Sequence, residues 1–259
     1  MVALPDDGAP VRYERRGAAS VVAIDRQERR NAVDGPTAEL LGTAVDRFEA
    51  DDDARALVLT GAGEEAFCAG ADLKAIETFA PRLELPEGPL GFTRRTPSKP
   101  AIAAVSGWCL AGGLELALWC DLRIAAEGSS FGCTERRFGV PLIDGGTQRL
   151  PRIVGLGRAL DLILTGRIVA AEEALSIGLA NEVVPRGAHL ERALELAEAL
   201  ARFPQETMLA DRRAATEGLG MPLSEGLRLE AGAGREVFEA AQRGAARFAA
   251  GEGRGGAAV

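Results

Sequence analysis

Ala101-Ile-Ala-Ala-Val-Ser-Gly-Trp-Cys-Leu-Ala-Gly-Gly-Leu-Glu-Leu-Ala-Leu-Trp-Cys-Asp121 is the run around which the chain is organised. Residues 101–105 are small, apolar and partly β-branched, which predicts a short buried strand. Ser106-Gly107 breaks that strand. Ala111-Gly112-Gly113 then opens an apolar run through Leu114, Leu116, Ala117, Leu118 and Trp119. Ala and Leu dominate it, which predicts a buried helix. The first N–H groups of a helix have no partner inside it, and the peptide dipoles make that end positive. Gly112 lacks a Cβ and so lets another molecule approach such an N–H. Glu115, three positions later, lies on the same helix face. An oxyanion donor and a carboxylate are thus presented together. Taken alone, a glycine-rich turn followed by a salt-bridged glutamate reads the same way.

Length and composition bound the possibilities. The 259 residues can bury a sizeable core, as one large domain or one domain with a helical appendage. A formal net charge of −8 argues against nucleic-acid binding, which needs a basic footprint, but permits an anionic ligand where basic side chains cluster. Cys68, Cys109, Cys120 and Cys133 form no CxxC pair and sit in or beside apolar runs. They read as reduced, buried thiols. With one histidine, His189, there is no support for a zinc site or a histidine-based triad, and no metal is expected. No leader-like or membrane-spanning segment is visible, so a cytoplasmic protein is expected.

Outward from the central run, strands are predicted at 11–15, 20–24, 56–60, 122–125, around Phe131 and at 182–184. A helix follows Gly35-Pro36-Thr37, with Leu40, Leu41, Ala44, Val45 and Phe48 in a 3.6-residue rhythm. The stretch Ala66-Phe-Cys-Ala-Gly-Ala-Asp-Leu-Lys74 continues as helix to about Phe79. Residues 81–100 contain five prolines and little periodicity, which predicts a mobile surface loop over a site. A glycine turn at Gly145-Gly146 leads into a helix near Thr147. Helices follow at 155–164 and 170–177, then at 190–202, 204–217 and 224–250. Residues 1–10 read as a loose arm and 251–259 as a disordered Gly/Ala-rich tail. The pattern is an α/β layered core, residues 1–188, with a helical region at 189–259.

Three blocks in this order, 66–74, the central run, and Phe131-Gly-Cys-Thr-Glu-Arg-Arg-Phe-Gly139 with Asp144-Gly-Gly-Thr-Gln-Arg-Leu150, resemble the enoyl-CoA hydratase/isomerase (crotonase) superfamily. The resemblance covers most of the chain from about Val11 to Val184. It implies an α/β crotonase-type spiral of ββα units, with a C-terminal helical region that builds homotrimers or hexamers. It implies a hydro-lyase that adds water reversibly to a trans-2-enoyl-CoA through an enolate. It places oxyanion donors at the N–H groups of Ala71 and Gly112. Glu115 is placed as the base orienting water and Glu135 as the acid toward Cα. The stretch Ala69, Gly70, Ala71, Asp72, Leu73 and Lys74, with Arg30, Ala32 and Gly112, is implied to hold the acyl-CoA. Arg26 and Arg29 are further candidates for its phosphates. Coenzyme A is then part of the substrate, and no separate cofactor is implied.

Two features depart from the plain hydratase pattern. Arg136-Arg137 follow Glu135 where apolar residues are common, which reads as a polar acyl group or a surface pair. Asp144 either enters the site as a third acid or caps the helix that begins near Thr147. An isomerase, hydrolase or decarboxylase acting on a CoA thioester, and a non-catalytic acyl-CoA or RNA-binding protein, are the competing readings.

Overall fold

A computed structural model describes residues 8–252. Residues 1–7 of the expected arm and 253–259 of the expected tail lie outside the described residues. In chain order the elements are β1 (Val11–Arg16), β2 (Ala19–Ile24), α1 (Gly35–Glu49), β3 (Ala56–Gly61), β4 (Ala66–Cys68), β5 (Ala101–Val105), β6 (Trp108–Leu110) and α2 (Gly112–Trp119). Then follow β7 (Leu122–Ala126), β8 (Ser130–Gly132), α3 (Gly146–Val154), α4 (Leu156–Thr165), β9 (Ile168–Ala170), α5 (Ala171–Ser176) and β10 (Glu182–Val184). Helices α6 (His189–Ala201), α7 (Gln205–Glu217), α8 (Leu223–Glu236) and α9 (Phe238–Ala249) complete the chain. Short 3-10 helices lie at Gln27–Arg29, Leu73–Arg82 and Thr134–Phe138. The chain divides into two compact units, 1–197 and 198–259.

In the first unit the strands form two sheets, of order β1-β2-β3-β5-β7-β10 and β4-β6-β8-β9. Pairing from β2 through β10 in the larger sheet is parallel, as are β4-β6 and β6-β8 in the smaller. Each turn of the chain runs from the larger sheet to the smaller and on into a helix: β3 to β4, β5 to β6 to α2, β7 to β8. Successive turns stack, which is the expected spiral of ββα units. Strands β3 and β5 are buried along their whole length, as parallel strands covered on both faces require.

Local chemistry sets the elements. Asp34 caps α1 by accepting the Thr37 N–H at 2.9 Å, and Pro36 sits in the first turn, where its missing donor costs nothing. Helix α2 has Leu114, Leu116, Ala117, Leu118 and Trp119 all buried, so it is wrapped by protein on every side. Burying each leucine contributes about 1.5–3 kcal/mol.

Two expectations are corrected. Residues 81–100 form a loop against the cavity, as expected, but its middle is not surface: Leu90, Phe92 and Thr93 are buried, and Phe92 meets Trp119 edge-on at 4.6 Å between centroids. The prolines break periodicity there, but the apolar side chains between them still turn inward. The predicted helix 224–250 is two helices, broken at Val237 (φ −110°, ψ 16°). The three-residue strands β4, β6 and β9 are too short to show an alternation in sequence. All four cysteines are free and buried. Burial pushes the Cys68 and Cys133 thiols up to about 12, and those of Cys109 and Cys120 upward as well. Among the described residues no helix is long and apolar enough to cross a membrane.

Helix α2 begins directly against the end of β4. A Cβ on Gly113 would overlap the Cys68 carbonyl oxygen, which is main chain and cannot rotate away. Gly113→Ala is therefore expected to destabilise the protein by about 1–3 kcal/mol or more, read as a lower urea midpoint. A midpoint equal to wild type would show that α2 does not depend on this contact.

Candidate active site

The site grows from the contact between the end of β4 and the start of α2. After β4 the chain passes through Ala69, Gly70 and Ala71. Its outer side is held by the loop before α1: the Ala69 N–H donates to the Arg30 carbonyl at 3.0 Å, Val33 N–H to Gly70 O at 2.8 Å, and Asp72 N–H to Val33 O at 2.7 Å. Main-chain groups alternate in direction along such a bridge, so the Ala71 N–H points the opposite way. There it meets the first turn of α2. A Cβ on Gly112 would lie 3.6 Å from Ala71 N, and one on Gly70 would lie 3.0 Å from Gly112 N. Neither the Ala71 nor the Gly112 N–H has a hydrogen-bond partner among the described residues. Ala111, just before α2, adopts φ 52° and ψ −125°, a costly conformation for a residue with a side chain. That turn sets the start of α2 beside Gly70 and Ala71.

Both alanine and glycine line a cavity of about 400 Å³, together with Glu115, Glu135 and Asp144. Glu115 is 3% exposed, and its Oε1 accepts the N–H groups of Asp144 (2.9 Å) and Gly146 (2.7 Å). Burial pushes its carboxyl up to about 8; the neighbouring charge of Asp144 and, more weakly, that of Glu135 add to this, against the two N–H bonds. Glu135, on the 3-10 turn after β8, is 5% exposed, and neither carboxyl oxygen has a hydrogen-bond partner among the described residues. Burial raises its pKa too. Two buried acids with displaced titrations facing one cavity are what proton transfer near neutral pH needs.

Asp144 is 4% exposed and lines the cavity. It does not cap α3, which starts from Gly145 with no side-chain cap. Its Oδ1 accepts the Leu90 N–H at 3.0 Å and the Thr93 hydroxyl. Burial raises its pKa, and the Thr93 and Leu90 donors oppose that.

The remaining sequence candidates separate. Arg26 is engaged internally, with Asp34 at 2.8 Å, Asp72 at 3.2 Å and the Ala32 carbonyl, so it is not free for a phosphate. Asp72 also caps the following 3-10 helix at the Lys74 N–H, 3.1 Å away. Arg30 is exposed and paired with Glu65 at 2.8 Å; Arg29 and Lys74 are exposed. Ala32 is buried, with its N–H donated to Arg29 O at 3.1 Å. Arg136 and Arg137 are a surface pair, donating to carbonyls of Ile163 and Gly166. Among the described residues no cluster of histidine, cysteine or acidic side chains could hold a metal ion.

Sequence reasoning missed the apolar wall. Leu73, Ile76 and Phe79 line the cavity at a three-residue spacing, from 3-10 turns interrupted by a kink at Ala75. That spacing was the available signal. Leu83, Leu90, Phe138, Val140 and Ile143 complete the wall and carry no such period. The assembly brings two main-chain N–H groups without partners, two buried acids and an apolar wall to one cavity.

Known proteins resemble this one along nearly its whole length. The profile described as enoyl-CoA hydratase/isomerase matches residues 14–252. An enoyl-CoA hydratase, EchA19, of Mycobacterium tuberculosis is 36% identical over 92% of this chain and 91% of its own. A short-chain-enoyl-CoA hydratase of Clostridium acetobutylicum is 36% identical over 87% of this chain and 88% of its own. The crystal structure of enoyl-CoA hydratase EchA1 from Mycobacterium marinum superposes with a TM-score of 0.87 at 38% identity, covering 93% of this chain and 95% of that one.

The titration of Glu115 has a consequence for stability. Its folded pKa lies above that of a free glutamate, so the folded state binds the extra proton between about pH 4.5 and 8. Stability on its account is full below that window and is lost as pH rises through it. Glu115→Gln keeps an oxygen for the two N–H donors and removes the charge. Its Tm is expected to gain on wild type steadily from pH 5 to pH 8. A constant difference across that range would show that Glu115 titrates normally.

Proposed function

The chain belongs to the enoyl-CoA hydratase/isomerase family, with a crotonase fold, and from that membership we propose that it is an enoyl-CoA hydratase, a hydro-lyase adding water to a trans-2-enoyl-CoA. The observation that supports the reading is that Ala71 and Gly112, whose N–H groups have no partner among the described residues, line one cavity with the buried carboxyls of Glu115 and Glu135. The names of the relatives support the same substrate class.

In the proposed reaction the thioester oxygen sits between the two N–H groups. Glu115 takes a proton from water as the hydroxyl oxygen bonds to Cβ. The Cα–Cβ electron pair moves toward the thioester, and the enolate oxygen is stabilised by the two fixed donors. In this scheme Glu135 enters as the carboxylic acid and delivers its proton to Cα. The pair ends with its proton on Glu115, and transfer back to Glu135 restores the starting state. Oε1 of Glu115 is tied to two N–H groups, which leaves Oε2 to face the water. Coenzyme A enters as part of the substrate, its pantetheine along the Ala69–Ala71 main chain and its phosphates toward the exposed Arg29, Arg30 and Lys74. No separate cofactor is needed for these steps.

We also infer self-association into trimers or hexamers. Leu156, Leu160 and Leu164 form an exposed stripe at i, i+4 and i+8 on α4, and Phe238 and Phe248 are exposed on α9.

The test is incubation with 2-enoyl-CoA thioesters from crotonyl-CoA upward, following loss of the conjugated enoyl absorbance. Turnover is expected, with a preference for apolar acyl chains. No loss at any chain length removes the hydratase reading, and formation of a shifted double bond instead would make the protein an isomerase. Glu135→Gln is expected to lower kcat by about 10²–10⁴ while acyl-CoA still binds. Near-wild-type turnover in that variant would end the two-acid scheme.

A further inference from the structure

Asp144 stands where three parts of the site meet. Its main-chain N–H donates to Glu115 Oε1 at 2.9 Å. Its side chain, through Oδ1, takes the Leu90 N–H at 3.0 Å and the Thr93 hydroxyl. Leu90 is part of the cavity wall, and both partners belong to the inward-turned segment 83–100. Arg149 on α3 fastens the same junction, donating to the main-chain carbonyls of Asp144 (3.0 Å) and Thr93 (2.5 Å). One residue thus joins the apolar wall to the turn that orients Glu115. Its carboxylate is also a like charge beside the Glu115 carboxyl, in a setting with little water to screen it.

We propose that Asp144 is a positioning residue of this site: its carboxylate pins the Leu90 wall of the acyl chamber, and its main-chain N–H holds Glu115 with the Asp144 charge beside that carboxyl. The proposal rests on the hydratase reading for its catalytic meaning, but its physical content does not. Oδ1 is engaged by two donors from the protein, which oppose the upward push of burial on this carboxyl. Charge on Asp144 makes ionisation of Glu115 harder and so adds to the effect of burial there. Other charged and titratable groups acting on Glu115 are Glu135 from the 3-10 turn and Arg149 from α3, with the Cys133 thiol nearby; Arg94 and Arg149 act on Asp144. Among the described residues none of these hydrogen-bonds Leu90, the wall residue that Asp144 holds.

Asp144→Asn and Asp144→Ala separate the two roles. Asparagine keeps an oxygen for Leu90 and Thr93 and loses the charge; alanine loses both. In Asp144→Asn the rising limb of the pH profile of kcat/KM, which reports ionisation of the base, is expected to move to lower pH by about one unit, with KM for long-chain enoyl-CoA unchanged. In Asp144→Ala the same shift is expected together with a several-fold rise in KM for long chains, while KM for crotonyl-CoA holds. A pH profile of Asp144→Asn that superposes on wild type overturns the electrostatic role. A KM for long chains unmoved in a folded Asp144→Ala overturns the wall role. The dependence of Tm on pH gives a readout that needs no turnover. Asp144→Asn is expected to displace the Glu115-linked loss of Tm to lower pH in the wild-type background, and that displacement is expected to vanish in a Glu115→Gln background. Equal effects in both backgrounds overturn the coupling. If no enoyl-CoA is hydrated but the displacement is seen, the hydratase reading fails and the coupling stands.

Discussion

The close approach of two main-chain segments is the constraint from which the rest follows. The start of α2 lies against the end of β4 with no room for a side chain at Gly113, and Gly70 passes over Ala111 and Gly112 almost as closely. Ala111 is held at a positive φ to make the turn between them, at a cost of order 1–3 kcal/mol. Burial of the leucines of α2 offsets that cost several times over. The strain is kept because the sheet and the helix are fixed on either side of it. Two N–H groups, from residues 71 and 112, are left beside one cavity with no hydrogen-bond partner among the described residues.

Around that point the protein has gathered negative charge where water is scarce. Glu115, Glu135 and Asp144 are each at most 5% exposed, and burial shifts all three the same way. Their surroundings then separate them. Glu115 has one oxygen tied to two amides, Asp144 is bound by an amide and a hydroxyl, and Glu135 has no partner. Carboxyls that differ in this way do not titrate alike, and a site that must take up one proton while releasing another depends on such a difference. The apolar wall helps by keeping the dielectric low.

Much of this was legible in the letters. The strand, turn and helix of 101–119 followed from small apolar residues, a glycine pair and an uninterrupted Ala/Leu run. The paired placement of residues 71 and 112 came from the resemblance and needed coordinates to be seen as geometry. What stayed hidden is what depends on contacts between segments distant in sequence. Arg26 read as a free cation because Asp34 and Asp72 close on it only in the fold. Residues 81–100 read as surface because prolines erase periodicity, although Leu90 and Phe92 are packed inside. Asp144 read as a helix cap or, more weakly, as a third acid; it lines the cavity without capping α3, and its hydrogen bonds run to Leu90 and Thr93, more than fifty positions away. The break at Val237 has no glycine or proline to announce it.

The cysteines carry a consequence of another kind. Cys68 sits in the turn that positions Ala71, and its sulfur accepts the Gly70 N–H at 3.3 Å. Burial holds this thiol and the other three in the neutral form at any physiological acidity. Peroxide and alkylating agents react with thiolates they can reach, so these sulfurs are shielded twice, by access and by charge. Modification then has to wait for local opening of the chain, and its rate becomes a gauge of how often the spiral breathes. A polarizable, space-filling atom is thus placed at a crowded junction of the molecule without making that junction a redox liability.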